Sequence, residues 1–213
     1  MGVLPGVLRS RVRAGQHRRG AVHATKKIVS AAMLAVAAAL FGLHFPANAM
    51  AQSGAPEASS VIRAALPEAR PAGAIRFTSW GFDIYDASLW VTPGFRADNW
   101  SQRPLALEMR YLRSFDGDDI AKRSLDEMRR VNPMPEAQAA QWLRAMKSAF
   151  PNVKKGDRLL GVYDPEAGAR FFHNGTQTAM VGDAQFAQRF FAIWLAPQTS
   201  EPAMRDALLA PVK

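Results

Sequence analysis

Between residues 75 and 195 the spacing of apolar side chains switches from two to about 3.6, back to two, and to about 3.6 again. Ile75–Ser79 alternates, with Ile75, Phe77 and Ser79 opposite Arg76 and Thr78. Phe82–Val91 continues it, with Phe82, Ile84 and Trp90 on one face and Tyr85, Ala87, Leu89 and Val91 on the other. Trp80-Gly81 between the two runs marks a tight turn. Pro104–Leu112 alternates again, with Leu105, Leu107, Met109 and Tyr111 facing one way. The period then lengthens. Asp116–Arg130 opens with acids, which suit the positive end of a helix, and carries Ile120, Ala121, Leu125 and Met128 as a stripe. Pro133 and Pro135 interrupt it. A second helix places Ala139, Trp142, Leu143, Met146 and Phe150 on one face. Strands return at Arg158–Tyr163, Ala169–His173 and Thr176–Val181, the last two joined by Asn174-Gly175, a strong hairpin signal. Asp183 starts a helix with a wide apolar face from Phe186 to Trp194, and Ser200 with Pro202 starts another through Met204 and Leu208.

The first fifty residues follow a different logic. Lys26-Lys27 precedes an apolar run, Ile28–Leu43, of 16 residues. That is short of the ~20 that cross a bilayer as a helix. Small residues follow at Ala47-Asn48-Ala49 and Ala49-Met50-Ala51. Residues 1–51 therefore read as a secretory signal, with an uncleaved inner-membrane anchor as the alternative. Translation starting later, near Val22 or Lys26, is a further reading. Cleavage leaves the body in a bacterial periplasm or secreted, with the membrane involved only through the signal segment. Residues 52–72, rich in Ala, Pro, Ser and Glu, read as a flexible linker with a helical turn or two around Ser59–Leu66.

This division explains the charge. The whole chain carries +9, but residues 1–51 hold seven basic residues and no acid, leaving 20 basic against 18 acidic residues in the body. No nucleic-acid footprint remains there. The chain has no cysteine, which excludes disulfides, thiolate metal sites, a cysteine nucleophile and a lipoprotein anchor. His173 is the only histidine of the body, so a metal site with two or more histidines is excluded. No G-x-S-x-G elbow, phosphate loop or G-x-G-x-x-G is present. Asp116, Asp118 and Asp119 lack the rest of a calcium loop, and Lys154-Lys155 with Arg158 reads as a solvated basic loop. The expectation is no metal and no cofactor.

Several phrases carry a resemblance. They are Gly81-Phe82-Asp83-Ile84-Tyr85-Asp86-Ala87-Ser88-Leu89-Trp90, Leu105–Tyr111, the Trp142 helix ending in Phe150-Pro151, Lys155-Gly156-Asp157, Phe171–Gly175 and Phe191–Leu195. In this order, from about Gly73 to Leu209, they resemble the exported bacterial chalcone isomerase-like proteins. The resemblance implies an α+β fold over residues 73–213. A large antiparallel sheet, an open-faced sandwich, would pack against a layer of helices with a ligand cleft between them.

Fold does not fix function. Plant chalcone isomerases close a flavanone ring by intramolecular oxa-Michael addition, using polar side chains in that cleft. By the resemblance, their tyrosine falls at Met134, their asparagine at Gln141, one threonine near Ile193 and the strand threonine at or next to Tyr85. The plant fatty-acid-binding branch instead grips a carboxylate with an arginine and a tyrosine, which would be Tyr85 here, with Arg76 the nearest upstream arginine. Met134 and Ile193 make an apolar wall, and an Arg–Tyr polar end suits an amphiphilic anion. The candidate ligand-binding set is thus Arg76, Tyr85, Met134, Gln141 and Ile193. The bland alternatives are a core tyrosine with a satisfied hydroxyl and a solvated edge arginine. The function implied is a non-catalytic binder of a small apolar or fatty-acid-like ligand. The alternatives are an intramolecular lyase or isomerase on an unknown substrate, and an interaction scaffold. The Trp142 stripe is expected to lie on the sheet as a wall of the cleft, with Gln141 toward its mouth or solvent.

Overall fold

A computed structural model describes residues 56–212; the segment read as a secretory signal lies outside the described residues. The chain runs α1 (Pro56–Ala65), β1 (Arg70–Ser79), β2 (Phe82–Val91), β3 (Leu105–Tyr111), α2 (Gly117–Val131), α3 (Glu136–Ala149), β4 (Arg158–Asp164), β5 (Gly168–His173), β6 (Thr176–Val181), α4 (Ala184–Leu195) and α5 (Pro202–Leu209). Short 3₁₀ turns occupy Trp100–Gln102 and Ala210–Val212. All six strands form one antiparallel sheet in sequence order, β1 to β6. This is the α+β architecture expected. Among the described residues no helix is long and apolar enough to cross a membrane.

The period-two pattern decides which face is covered. Leu107, Met109 and Tyr111 of β3 and Leu159 and Tyr163 of β4 are buried in the main core with α2, α3, α4 and α5. The opposite face is divided. Ala106, Leu160, Val162 and Phe172 form a small second core under α1, whose Ile62 is 0% exposed. Beside it runs a ladder of charges: Arg76 and Arg110 on Asp86, and Arg158 on the buried Glu108. From Pro56 onward, the segment read as a linker is therefore part of the folded body. Val61, Ile62, Ala65 and Leu66 make a stripe at helical spacing that the Ala/Pro/Ser/Glu composition masks.

Two local features depart from simple alternation. Phe77 pairs with Tyr85 but Thr78 pairs with Asp83, so Ile84 is an extra residue in β2. This bulge resets the strand's phase. The stripe on α3 is buried as expected, at Ala139, Trp142 and Met146. Only its last member, Phe150, just past the end of α3, reaches the cleft, where it packs on Phe171 and Phe190. Trp142 packs its ring against Phe186 of α4 at 5.7 Å and donates its indole N–H to Asp183 Oδ2 at 2.9 Å. Asp183 Oδ1 accepts the Phe186 N–H at 2.9 Å and so caps α4.

Candidate functional site: an apolar cavity with a polar end

A cavity of about 370 Å³ lies between the inner face of the sheet and helices α2, α4 and α5. Strand alternation aims Phe77, Leu107, Met109 and Phe171 into it, and the wide apolar face of α4 supplies Phe190, Phe191 and Ile193. The bulge brings Ile84 onto the cavity together with its neighbour Tyr85, which strict alternation would put on the opposite face.

The polar groups gather where β2 and β3 end beside α2 and α5. The Tyr85 ring lies 5.1 Å from Phe77 and 5.9 Å from Tyr111. Its hydroxyl accepts the Trp194 indole N–H at 3.3 Å and points its own hydrogen at Met204 Sδ, 3.9 Å away. Burial pushes the Tyr85 pKa up to about 12. Tyr111 is 4% exposed, and burial, with Tyr85 close by, raises its pKa further above the ordinary tyrosine range. Both phenols stay protonated at neutral pH and act as hydrogen-bond donors. The Tyr111 hydroxyl lines the cavity and has no hydrogen-bond partner among the described residues. A phenol O–H with no protein partner is available to donate to a bound acceptor.

On α2, Ile120, Arg123, Ser124 and Glu127 share the helical face that borders the cavity. Ser124 Oγ returns its hydrogen to the Ile120 carbonyl at 2.8 Å. Glu127 is buried, which opposes its charge. Hydrogen bonds from Arg130 at 2.8 Å and Ser200 at 2.9 Å, with Arg123 2.7 Å away, nonetheless hold its carboxyl below the usual range. Arg123 is the outermost of these partners, with a mostly exposed side chain. It can turn toward a ligand while Arg130 and Ser200 keep Glu127 satisfied.

The five residues singled out from the sequence separate. Tyr85 and Ile193 line the cavity. Arg76 does not: it pairs across the hairpin with Asp86, on the other face of the sheet from the Phe77–Tyr85 pair. There it is exposed and binds Asp86 at 2.7 Å and Asp83 at 3.2 Å. The expected Arg76–Tyr85 grip is thus not formed. Met134, in the α2–α3 connection, packs against the core but not on the cavity, and Gln141 is exposed on α3. Sequence reasoning passed over Tyr111, Arg123, Glu127 and Trp194. The signals were a tyrosine ending the buried face of β3, and a serine and a glutamate one and two helical turns after Ile120. Among the described residues no cluster of His, Cys, Asp and Glu is arranged to hold a metal ion.

Comparison with known proteins agrees with this architecture. An uncharacterized protein of Haemophilus influenzae is 30% identical over 145 residues, which cover 68% of this chain and 69% of that protein. The crystal structure of an Arabidopsis thaliana fatty-acid binding protein superposes with a TM-score of 0.51 over 67% of this chain and 87% of that one. At 8% identity, that likeness speaks for the fold alone. The model of the chalcone isomerase-like family matches residues 72–210, nearly the whole folded body, and the chain belongs to that family.

Proposed function

We propose that this protein is a non-catalytic binder of a small amphiphilic ligand of the fatty-acid type, its tail among the phenylalanines and its oxygen-bearing head at Tyr111, Tyr85 and Arg123. The observation that carries this reading is Tyr111, a buried residue that lines the apolar cavity and whose hydroxyl has no hydrogen-bond partner among the described residues. Ring closure of the chalcone isomerase kind needs a group that can take or give a proton near neutral pH. Burial raises both tyrosines well above it, Ile193 offers no such group, and the Glu127 carboxyl at the border is held below its usual range by Arg130, Ser200 and Arg123. The fatty-acid binding protein with the same fold supports the assignment by analogy.

Equilibrium dialysis with labelled myristate and palmitate tests it. Wild-type protein is expected to bind one chain, and Tyr111→Phe to weaken binding by roughly 10- to 100-fold, the worth of one good hydrogen bond to a charged acceptor. The melting temperature of the unliganded variant should not fall, since the hydroxyl has no protein partner to lose. Arg123→Gln should weaken the fatty acid more than the corresponding alcohol. Unchanged affinity in both variants would remove the head-group assignment.

Export belongs to the same proposal. The mature protein is expected to begin at Met50 or Gln52, and N-terminal sequencing of periplasmic material checks it. A full-length chain in the inner membrane would favour the anchor instead.

A further inference from the structure

The tip of the β1–β2 hairpin combines features that no folding requirement explains. Trp80 is 95% exposed and has a positive φ of 52°, followed by Gly81 at 77°. A two-residue turn with both φ values positive ordinarily takes Asn or Gly. A tryptophan there bears backbone strain and leaves a large apolar ring in water. Phe82 follows, 54% exposed. The tip also stands clear of the sheet. β2 pairs with β3 only as far as Tyr85–Tyr111, with Leu112 N–H donating to the Ile84 carbonyl just beyond. Three further residues carry the chain out to Trp80, an overhang of about 10 Å at the rise of a strand.

Basic residues lie at this end of the sheet. The Arg113 guanidinium lies 4.3 Å over the Phe82 ring. Lys154 and Lys155 sit in the adjacent loop, which is joined to the end of β3 by Gly156 N–H on the Tyr111 carbonyl. Among the described residues none of these three cations is in an ion pair. The nearby acids are largely engaged. Asp83 is bound by Arg76. Asp157 accepts the Lys154 N–H and the Asn174 amide and lies 3.5 Å from His173. Asp116 stands at the N-terminus of α2.

We propose that this hairpin docks on an anionic lipid bilayer, with Trp80 and Phe82 entering the interface and Arg113, Lys154 and Lys155 against the headgroups. Tryptophan is favoured at that depth, where its ring is shielded while its N–H stays wet. Basic residues beside it are drawn to an anionic surface. Phe77, Ile84 and Tyr85 of the same hairpin line the cavity, so docking would bring the cavity beside the bilayer. The docking does not depend on what the cavity holds.

The test reads Trp80 locally, because residues 28–43 of the full chain are themselves apolar and can hold it on a membrane. Full-length protein is mixed with vesicles of phosphatidylcholine and phosphatidylglycerol carrying brominated acyl chains. The Trp80 component is the difference in emission between wild type and Trp80→Phe. It is expected to shift to the blue, to lose most of its intensity to the bromines and to become inaccessible to iodide. Triple replacement of Arg113, Lys154 and Lys155 by Gln should restore most of that intensity. A Trp80 component that stays iodide-accessible and unquenched overturns the proposal, as it would if the tip served a protein partner. Equal quenching on pure phosphatidylcholine overturns its anionic part.

Discussion

Replacing Trp142 by Ala is expected to lower the unfolding free energy by about 3–5 kcal/mol, the range for deleting a large buried aromatic. Trp142 is 1% exposed and ends in a charge-assisted hydrogen bond to Asp183. Its loss opens a void against Phe186 and takes from the partly buried Asp183 carboxylate one hydrogen bond, leaving that from the Phe186 N–H. That carboxylate caps α4, whose inner face walls the cavity, so binding should weaken along with stability. Trp142→Phe keeps most of the ring and removes the N–H, and should cost about 1.5–3 kcal/mol, the worth of a hydrogen bond to a charged group. Gln141→Ala, one residue away on the exposed side of α3, should stay within about 0.5 kcal/mol. Urea unfolding with a common m-value checks all three. A change under 1 kcal/mol for Trp142→Ala would mean that α3 is not seated on α4.

Gly73→Ala is expected to be comparably damaging, for the opposite reason. A Cβ at this point of β1 would stand 2.1 Å from the Ala207 carbonyl oxygen and 2.3 Å from that of Leu208. Both are backbone atoms of α5, so no side-chain rotation relieves the clash. Either β1 or α5 must move, and overpacking of this kind costs typically 1–3 kcal/mol and sometimes more; we expect about 3. α5 contributes Met204, the sulfur neighbour of Tyr85, so its displacement should also loosen the ligand. Thermal unfolding with and without myristate separates the two effects. A variant that melts like the wild type would show that α5 yields at little cost.

Those two residues also mark what the sequence made legible. The period of the apolar residues located β2 and the three strands from Arg158 to Val181, and it placed Trp142 on a buried face. The phrases around Tyr85, Trp142 and Trp194 pointed to the family and its fold. Which neighbour a buried face meets is a tertiary question, and α3 settled against α2 and β6, with Trp142 on Phe186 of α4, so that only Phe150 at its end reaches the cavity. Arg76 went astray through register. Nine residues separate it from Tyr85, and only the pairing of Phe77 with Tyr85 reveals that the two occupy opposite faces. The bulge at Ile84 has no marker such as glycine, so alternation carried across it assigned that residue to the wrong side. Arg123 was hidden because a cation at the border of a helix's polar face looks like any solvated residue until a cavity is found beside it.

The contact between Gly73 and α5 joins the first strand to the last helix of the sheet domain, across more than 120 residues of chain. Such a closure is among the slowest to form, since the chain must lose the entropy of a long loop before it gains the contact. As the polypeptide is synthesised from its N-terminus, Phe77 and Tyr85 emerge long before Met204. The growing chain therefore presents an open trough, and sealing waits for the residues made last. If the cavity takes an apolar ligand as proposed, a hydrophobic molecule present during biogenesis meets that trough at its widest, and occupancy is set by the order of events during maturation as much as by the affinity of the finished protein.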